Sequence, residues 1–342
     1  MEYINLKAQY HHIQNEINQR VLNIIKSGEF ILSDVVKEFE ESIAKYVSRK
    51  YAISCGNGTE ALQLIYMAFG IGDGDAIFCP DMTFIASVEP AVMLGAHPVF
   101  CDIDLDSYNI SPDSLEQQII KILEEGKYTA KAIVAVDFLG NPYEYDAIKR
   151  IADKYNLLLI EDAAQGMGAE SRGRKCGSLG DVSATSFFPS KPLGCYGDGG
   201  AVFTDDKDIY ELVQSLRVHG KGSDKYHNVR IGLNSRLDSI QAGILMEKLV
   251  IFDEELDKRK AIANKYDREM EQILRIQRIK EYDCSSYAQY VVLANNEREK
   301  EILVKRLKEN NIPTLYYYPN PLHSLPVFGG LQYDDTIFPN TI

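Results

Sequence analysis

Two neighbouring stretches, Leu157–Gln165 (LLLIEDAAQ) and Ala184–Thr204 (ATSFFPSKPLGCYGDGGAVFT), decide the architecture of this chain. Leu157–Ile160 is an unbroken apolar run that stops at Glu161-Asp162. Such a run is the pattern of a strand covered on both faces, as strands of a parallel sheet are. Ala184–Phe188 reads as a second short strand, whose end delivers Lys191 into a turn rich in Pro and Gly.

The same reading extends outward in both directions. Strands are expected at Tyr51–Cys55, Ala76–Pro80, Pro98–Asp102, Ala132–Asp137, Leu157–Glu161, Ala184–Phe188 and Gly200–Thr204. Helices at Glu60–Phe69, Phe84–Leu94, Leu115–Glu124 and Tyr145–Tyr155 separate most of them. Short apolar strands alternating with helices predict an α/β fold with one mostly parallel, seven-stranded sheet covered on both faces. Before the sheet, Ile13, Ile17, Val21 and Ile24 recur at helix spacing up to Ser27-Gly28, and a second helix covers Asp34–Tyr46. After it come a helix at Asp208–Val218, closed by Gly220, and a long helix opened by NSRLDSIQA and running through 260–274. The last part has a strand at Tyr287–Leu293 and a helix at Lys300–Asn310, forming a smaller α+β domain. The expected division is a large domain over 1–245 and a small one over 246–342.

Composition excludes some partners. A net charge of −13 over 342 residues argues against nucleic acid, whose phosphates require a basic face. No apolar run is long enough to span a bilayer and no signal-type leader opens the chain, so no membrane partner is expected. The six cysteines form no CxxC pair and read as reduced thiols of a cytoplasmic protein; no metal site is indicated.

Ligands of open α/β sheets gather at the carboxyl ends of the strands, where Asp162 and Lys191 both fall. An acid and a lysine so placed suit pyridoxal 5'-phosphate. The lysine forms a Schiff base, and the acid pairs with the pyridine nitrogen so that the ring can accept electrons from a carbanion. A loop lysine on the surface and an acid capping a helix is the plainer alternative. The turn Gly56-Asn57-Gly58-Thr59 after the first strand adds a third element, because free N–H groups at a helix N-terminus bind phosphate.

With phosphate turn, acid and lysine in that order, the chain resembles the DegT-type family of nucleotide-sugar aminotransferases, which have the fold-type-I pyridoxal phosphate architecture. GNGTEALQL, EDAAQGMGA, SFFPSKPLGCYGDGGA and NSRLDSIQA carry the resemblance, which runs from Ile4 to the Tyr318-Pro319 stretch. The form of the lysine loop is similar to the branch that aminates UDP-2-acetamido-2-deoxy-3-oxo-glucuronic acid for bacterial surface polysaccharides. The resemblance implies L-glutamate as amino donor, a nucleotide keto sugar as acceptor, and a homodimer with its sites at the subunit interface. Lys191 and Asp162 would be the catalytic pair. Gly58, Thr59 and Ser186 would hold the phosphate, Phe84 would stack on the ring, and Gln165 would lie against the cofactor. Asn234 would reach the phosphate in the partner subunit. Arg236 is the candidate for a carboxylate, which its forked guanidinium matches, and Tyr317 and Tyr318 are candidates for substrate contact.

Two departures from the family pattern stand out. Tyr317 occupies a position where uronate-specific relatives carry His, which bears on whether the sugar has a carboxylate. The chain also ends before the closing segment expected of the family, so either the C-terminus is shortened or part of the protein is absent, and the small domain is expected to be incomplete. A 4-keto sugar is the alternative acceptor. A dehydrase of the same fold would replace Lys191 by histidine, and a regulatory homologue would lose Lys191 or Asp162; both residues are present.

Overall fold

The computed structural model describes residues 4–224, 226–331 and 333–341. Its frame is a seven-stranded sheet of β1 (Tyr51–Cys55), β2 (Asp75–Pro80), β3 (His97–Cys101), β4 (Thr129–Val136), β5 (Leu158–Asp162), β6 (Val182–Ser186) and β7 (Gly200–Thr204). The spatial order is β1-β7-β6-β5-β4-β2-β3. From β6 to β3 all neighbours are parallel, while β7 runs antiparallel to both β1 and β6. The register sets Val136 opposite Asp162 and Asp162 opposite Ala184, so the ends of β4, β5 and β6 face one rim.

Alternation along the strands divides the core in two. Ile77, Cys79, Val134 and Ile160 face α4 (Gly58–Ala68) and its neighbours, whereas Ala76, Phe78, Ile133 and Leu159 face α6 (Pro112–Glu125) and α7 (Tyr145–Tyr155). A third cluster packs α3 (Asp34–Tyr46), through Val36, Phe39 and Ile43, and Leu245 and Phe252 of α9 (Ser239–Met270) against Ala201 and Phe203 of β7. The N-terminal apolar repeat forms α1 (Leu6–His12) and α2 (Gln14–Ser27), which Gly28 ends at φ 73°. Ile13 and Ile17 are buried against Ile244 of α9.

The structure corrects several expected elements. The span Phe84–Leu94 is not one helix but a 3₁₀ turn, Ile85–Ser87, followed by the short α5 (Glu89–Met93), because Pro90 has no N–H to continue an earlier turn. α8 (Lys207–Leu216) stops before His219 and is capped by Arg217; His219 itself turns the chain at φ 58° and donates its N–H to Leu233 O at 2.7 Å. The expected strand Tyr287–Leu293 shrinks to Val292–Leu293, paired with Arg275–Ile276. The N–H groups of Ser286 and Gln289 bond instead to the carbonyls of Gly140 and Leu139, so the segment lies along a loop of the large sheet. The boundary expected between 245 and 246 falls inside α9, which continues without a break.

The helix α10 (Glu297–Glu309) has no buried residue. Beyond it, the chain returns to the large sheet at 322–331 and 333–338: Leu322, Phe328 and Phe338 are buried in the core that contains Phe100.

Candidate active site

Asp162 closes β5 and is buried beneath the rim of the sheet. Its Oδ2 accepts Ser87 Oγ at 2.7 Å, and its Oδ1 accepts the Ala164 N–H at 3.1 Å. Ser87 is itself held by Thr83 at 3.0 Å. Burial raises the Asp162 pKa, opposed by these two hydrogen bonds and by the charge of Lys191. Lys191 shows the reciprocal effect: burial lowers its pKa, and the Asp162 carboxylate pulls it back up. The two side chains therefore lie within electrostatic reach of each other, with the lysine biased toward its neutral, nucleophilic form. The Lys191 turn is closed by its own N–H on Phe188 O at 2.8 Å and by Cys195 N–H on Phe187 O at 2.8 Å.

A helix N-terminus faces the same rim. Asn57 caps α4, accepting the Glu60 N–H at 2.8 Å, and the N–H groups of Gly58 and Thr59 have no acceptor within their own helix. A Cβ on Gly58 would come within 2.7 Å of Ser186 Cβ, so only glycine lets this turn seat on the end of β6. Ser186 is thereby held next to the free N–H groups, and an anion bound there meets a hydroxyl and a helix dipole together. These features fit pyridoxal phosphate: an anion cradle, a buried acid for a protonated ring nitrogen, and a lysine within electrostatic reach of that acid.

The remaining expected residues are placed as follows. Gln165 is buried, accepts the Leu139 N–H through Oε1 at 2.7 Å, and donates from Nε2 to the Tyr318 hydroxyl at 3.3 Å. Phe84 is 52% exposed at the rim, free to cover a planar ring, with its centroid 5.9 Å from that of Tyr318. Tyr317 neighbours Tyr318 at 5.4 Å and packs with Phe138 and Leu139. Arg236 is half-buried and carries no ion pair among the described residues. Asn234 is exposed, and its neighbour Ser235 accepts the Gly56 N–H at 3.1 Å, which ties this segment to the phosphate turn.

Sequence reasoning missed Ser87, Thr83 and Ser235. None belongs to a motif with chemistry of its own, and only the fold brings them to Asp162 and Gly56. A cavity of about 900 Å³ lies beside the site, walled by Tyr317, Tyr318, Phe138, Met82 and His323. Lys191 and Asp162 are not among its walls.

The profile of the DegT/DnrJ/EryC1/StrS aminotransferase family matches residues 11–342. The chain belongs to this family. It is 42% identical over 327 residues to a Pseudomonas aeruginosa protein named UDP-2-acetamido-2-deoxy-3-oxo-D-glucuronate aminotransferase, covering 95% of this chain and 88% of the relative. A DegT/DnrJ/EryC1/StrS aminotransferase from Brucella abortus superposes with a TM-score of 0.94 at 41% identity, over 96% of this chain and 87% of the other. DesV of S. venezuelae, solved with a ketimine intermediate, superposes with a TM-score of 0.93 at 31% identity, over 99% and 89%. Enzymes of this family depend on pyridoxal phosphate, so the chain is an aminotransferase with that cofactor and the fold-type-I architecture.

Proposed function

We propose that this protein transfers the amino group of L-glutamate to the keto carbon of a UDP-linked 3-keto sugar. The class is that of UDP-2-acetamido-2-deoxy-3-oxo-glucuronate, on a route to bacterial surface polysaccharide such as lipopolysaccharide. The observation that carries the reading is the mutual placement of buried Asp162 and desolvated Lys191 beside the free N-terminus of α4. The P. aeruginosa relative supports the choice of sugar.

When bound, the cofactor supplies an electron sink for the carbon that gains or loses the amine. The chain's residues do the rest. Asp162, held by Ser87 and Ala164, would pair with the ring nitrogen. Gly58, Thr59 and Ser186 would anchor the phosphate, and Phe84 would cover one face. Lys191 would carry the transferred proton at Nζ, acting as base in one direction and acid in the other. Arg236 offers an unpaired guanidinium to the glutamate carboxylate or to a uronate, and Tyr317 and Tyr318 line the side where the sugar enters.

The unit that works is a homodimer. Phe30, Ile31 and Leu32, with Val229 and Ile231, are exposed apolar side chains close to the segment of Asn234 and Arg236, since Ser239 N–H bonds Phe30 O at 2.9 Å. In that dimer Asn234 reaches the phosphate of the partner subunit's cofactor. Among the described residues no helix is long and apolar enough to cross a membrane, and five of the six cysteines are buried and unpaired, which supports a cytoplasmic setting.

The test is the visible spectrum of the cofactor-loaded protein with L-glutamate, followed by UDP- and dTDP-linked 3-keto and 4-keto sugars. Glutamate should bleach the band of the lysine-bound cofactor, and a UDP-3-keto sugar should restore it. Restoration by 4-keto sugars alone would overturn the position of amination. Light scattering should give a mass twice that of the chain; a monomer would remove the dimer.

A further inference from the structure

The loop that carries Lys191 is held from behind by one face of α9. Gln241, Lys248 and Arg259 are 7 and 11 residues apart, and at 3.6 residues per turn they fall within about 20° of one line along the helix. Each reaches the same short stretch of backbone, in reverse order. Gln241 accepts the Tyr196 N–H at 2.9 Å and returns its amide to Tyr196 O at 3.5 Å. Lys248 Nζ donates to Gly194 O and lies 4.5 Å above the Tyr196 ring. Arg259 donates to Pro192 O at 3.4 Å. Pro192 is the residue after Lys191.

Lys248 is the unusual member. It is 2% exposed, and it forms no ion pair among the described residues. Its charge is met by a carbonyl and an aromatic face, and burial lowers its pKa to about 8, opposed by Glu255. Glu255 is engaged elsewhere, accepting both its contacts from Gln9 at 2.9 and 2.8 Å. A buried cation without a carboxylate is costly, and an apolar side chain of the same length would fill the space at lower cost. What methionine could not do is bind a backbone carbonyl at a fixed point.

We propose that Lys248 and Arg259 are positioning residues, which set the loop 192–196 and thereby aim Lys191 Nζ at the reacting carbon. The proposal rests on the transaminase reading for the purpose it gives the loop, but not for the contacts themselves. It also gives α9 a second role, since its far end joins the C-terminal segment through Asp267, which accepts the Tyr290 hydroxyl at 2.8 Å.

The experiment uses the full chain, cofactor-free and cofactor-loaded, as Lys248→Met, Lys248→Arg and Arg259→Gln. Amide hydrogen exchange of residues 190–196 should rise about tenfold in Lys248→Met, as expected for a lost hydrogen bond to a charged donor, and less in Arg259→Gln. Lys248→Arg should restore much of the protection. In the loaded enzyme, the pH midpoint of the visible band should move, and kcat should fall about tenfold with KM for glutamate unchanged. Wild-type exchange in 190–196 would overturn the proposal, and so would a uniform rise across the whole chain in both Lys248→Met and Arg259→Gln. If the wild-type chain never develops the visible band, the transaminase reading fails, while exchange in the cofactor-free chain still decides whether α9 holds the loop.

Discussion

The sheet and the C-terminal segment are held together in different ways. In the sheet, Phe78, Ile133, Leu159 and Phe203 are fully enclosed between helices, and strand pairing runs unbroken from β1 to β3. After α9, strands are two residues long, and Leu303, Val304 and Leu307 of α10 line an open cavity instead of a core. The groups proposed to hold the cofactor and do the chemistry (Asp162, Gly58, Ser186) stand on the first region, and the side chains proposed to meet the sugar, Tyr317 and Tyr318, stand on the second. In the proposed function, reaction geometry rests on a close-packed frame, while substrate contact rests on backbone with few ladder bonds, the kind that yields locally at low cost. Mutations should separate the two regions by what they damage.

The largest effect is expected at Lys191. Lys191→Ala should lower turnover by about 10⁴-fold or more, the upper end of what one positioned proton-transfer group supplies. The melting temperature of the cofactor-free chain should barely change, because the Lys191 side chain makes no hydrogen bond among the described residues. Single-turnover kinetics with glutamate would measure the first effect, and a fall of under tenfold would detach the lysine from the reaction. Next comes Phe203→Ala in β7, a fully buried ring, expected to cost about 3–5 kcal/mol in urea unfolding.

A pH-dependent effect of about 1–3 kcal/mol is expected at Asp137, the size of leaving a buried polar group unpaired. Asp137 Oδ2 is buried without a partner, and burial, then the charge of Glu161, holds its pKa well above the usual carboxylate range. Glu161 accepts N–H groups from Gly177, Leu179 and Gly180 and the hydroxyl of Ser183. The folded chain therefore binds the Asp137 proton more tightly than the unfolded chain, and this contribution to stability is lost as pH rises through the folded pKa. Asp137→Asn should remove that loss, so the variant gains on wild type from pH 5 to pH 9 in thermal melts. A constant difference across that range would mean that Asp137 is ionised throughout.

How much of this was legible depends on whether the signal was local. Leu157–Ile160 ending in Glu161-Asp162 announced a buried strand with an acid at its tip, and the structure places Asp162 there. The Gly58 turn was readable for the same reason, since a strand, a cap and a helix start are adjacent in sequence. Ser87 was not, because its bond to Asp162 crosses 75 residues and no periodicity encodes it. Tyr287–Leu293 misled because its composition is strand-like, yet its backbone partners are the carbonyls of Leu139 and Gly140. Lys248 gave no signal at all: in a helix rich in Glu and Lys, a lysine reads as solvated surface, and only its burial distinguishes it.

Smaller effects belong to the second region. Tyr318→Phe removes the hydroxyl that meets Gln165 at 3.3 Å, a loss of about 1 kcal/mol. If Tyr318 meets the sugar, KM for the nucleotide sugar should rise about fivefold with the glutamate half-reaction unchanged. Slowing of the glutamate half instead would move Tyr318 to the cofactor side.

Leu307→Ala in α10 tests the comparison at its weak end. Leucine and alanine differ little in helix propensity, so the change reads packing almost alone. A core leucine costs about 2–5 kcal/mol on truncation, and a surface position away from special contacts stays within about 0.5 kcal/mol. α10 has no buried residue, so the smaller figure is expected. Urea unfolding followed by far-ultraviolet circular dichroism measures it on the same scale as Phe203→Ala. A cost near 3 kcal/mol would mean that the α10 face is covered in solution, by a second copy or by other chain, and the contrast between the two regions would then describe the isolated chain and not the working protein. A cost below 0.5 kcal/mol would leave the rigid frame and the yielding segment as distinct parts, with the aromatic side chains of the sugar side free to adjust while Lys191 and Asp162 stay fixed.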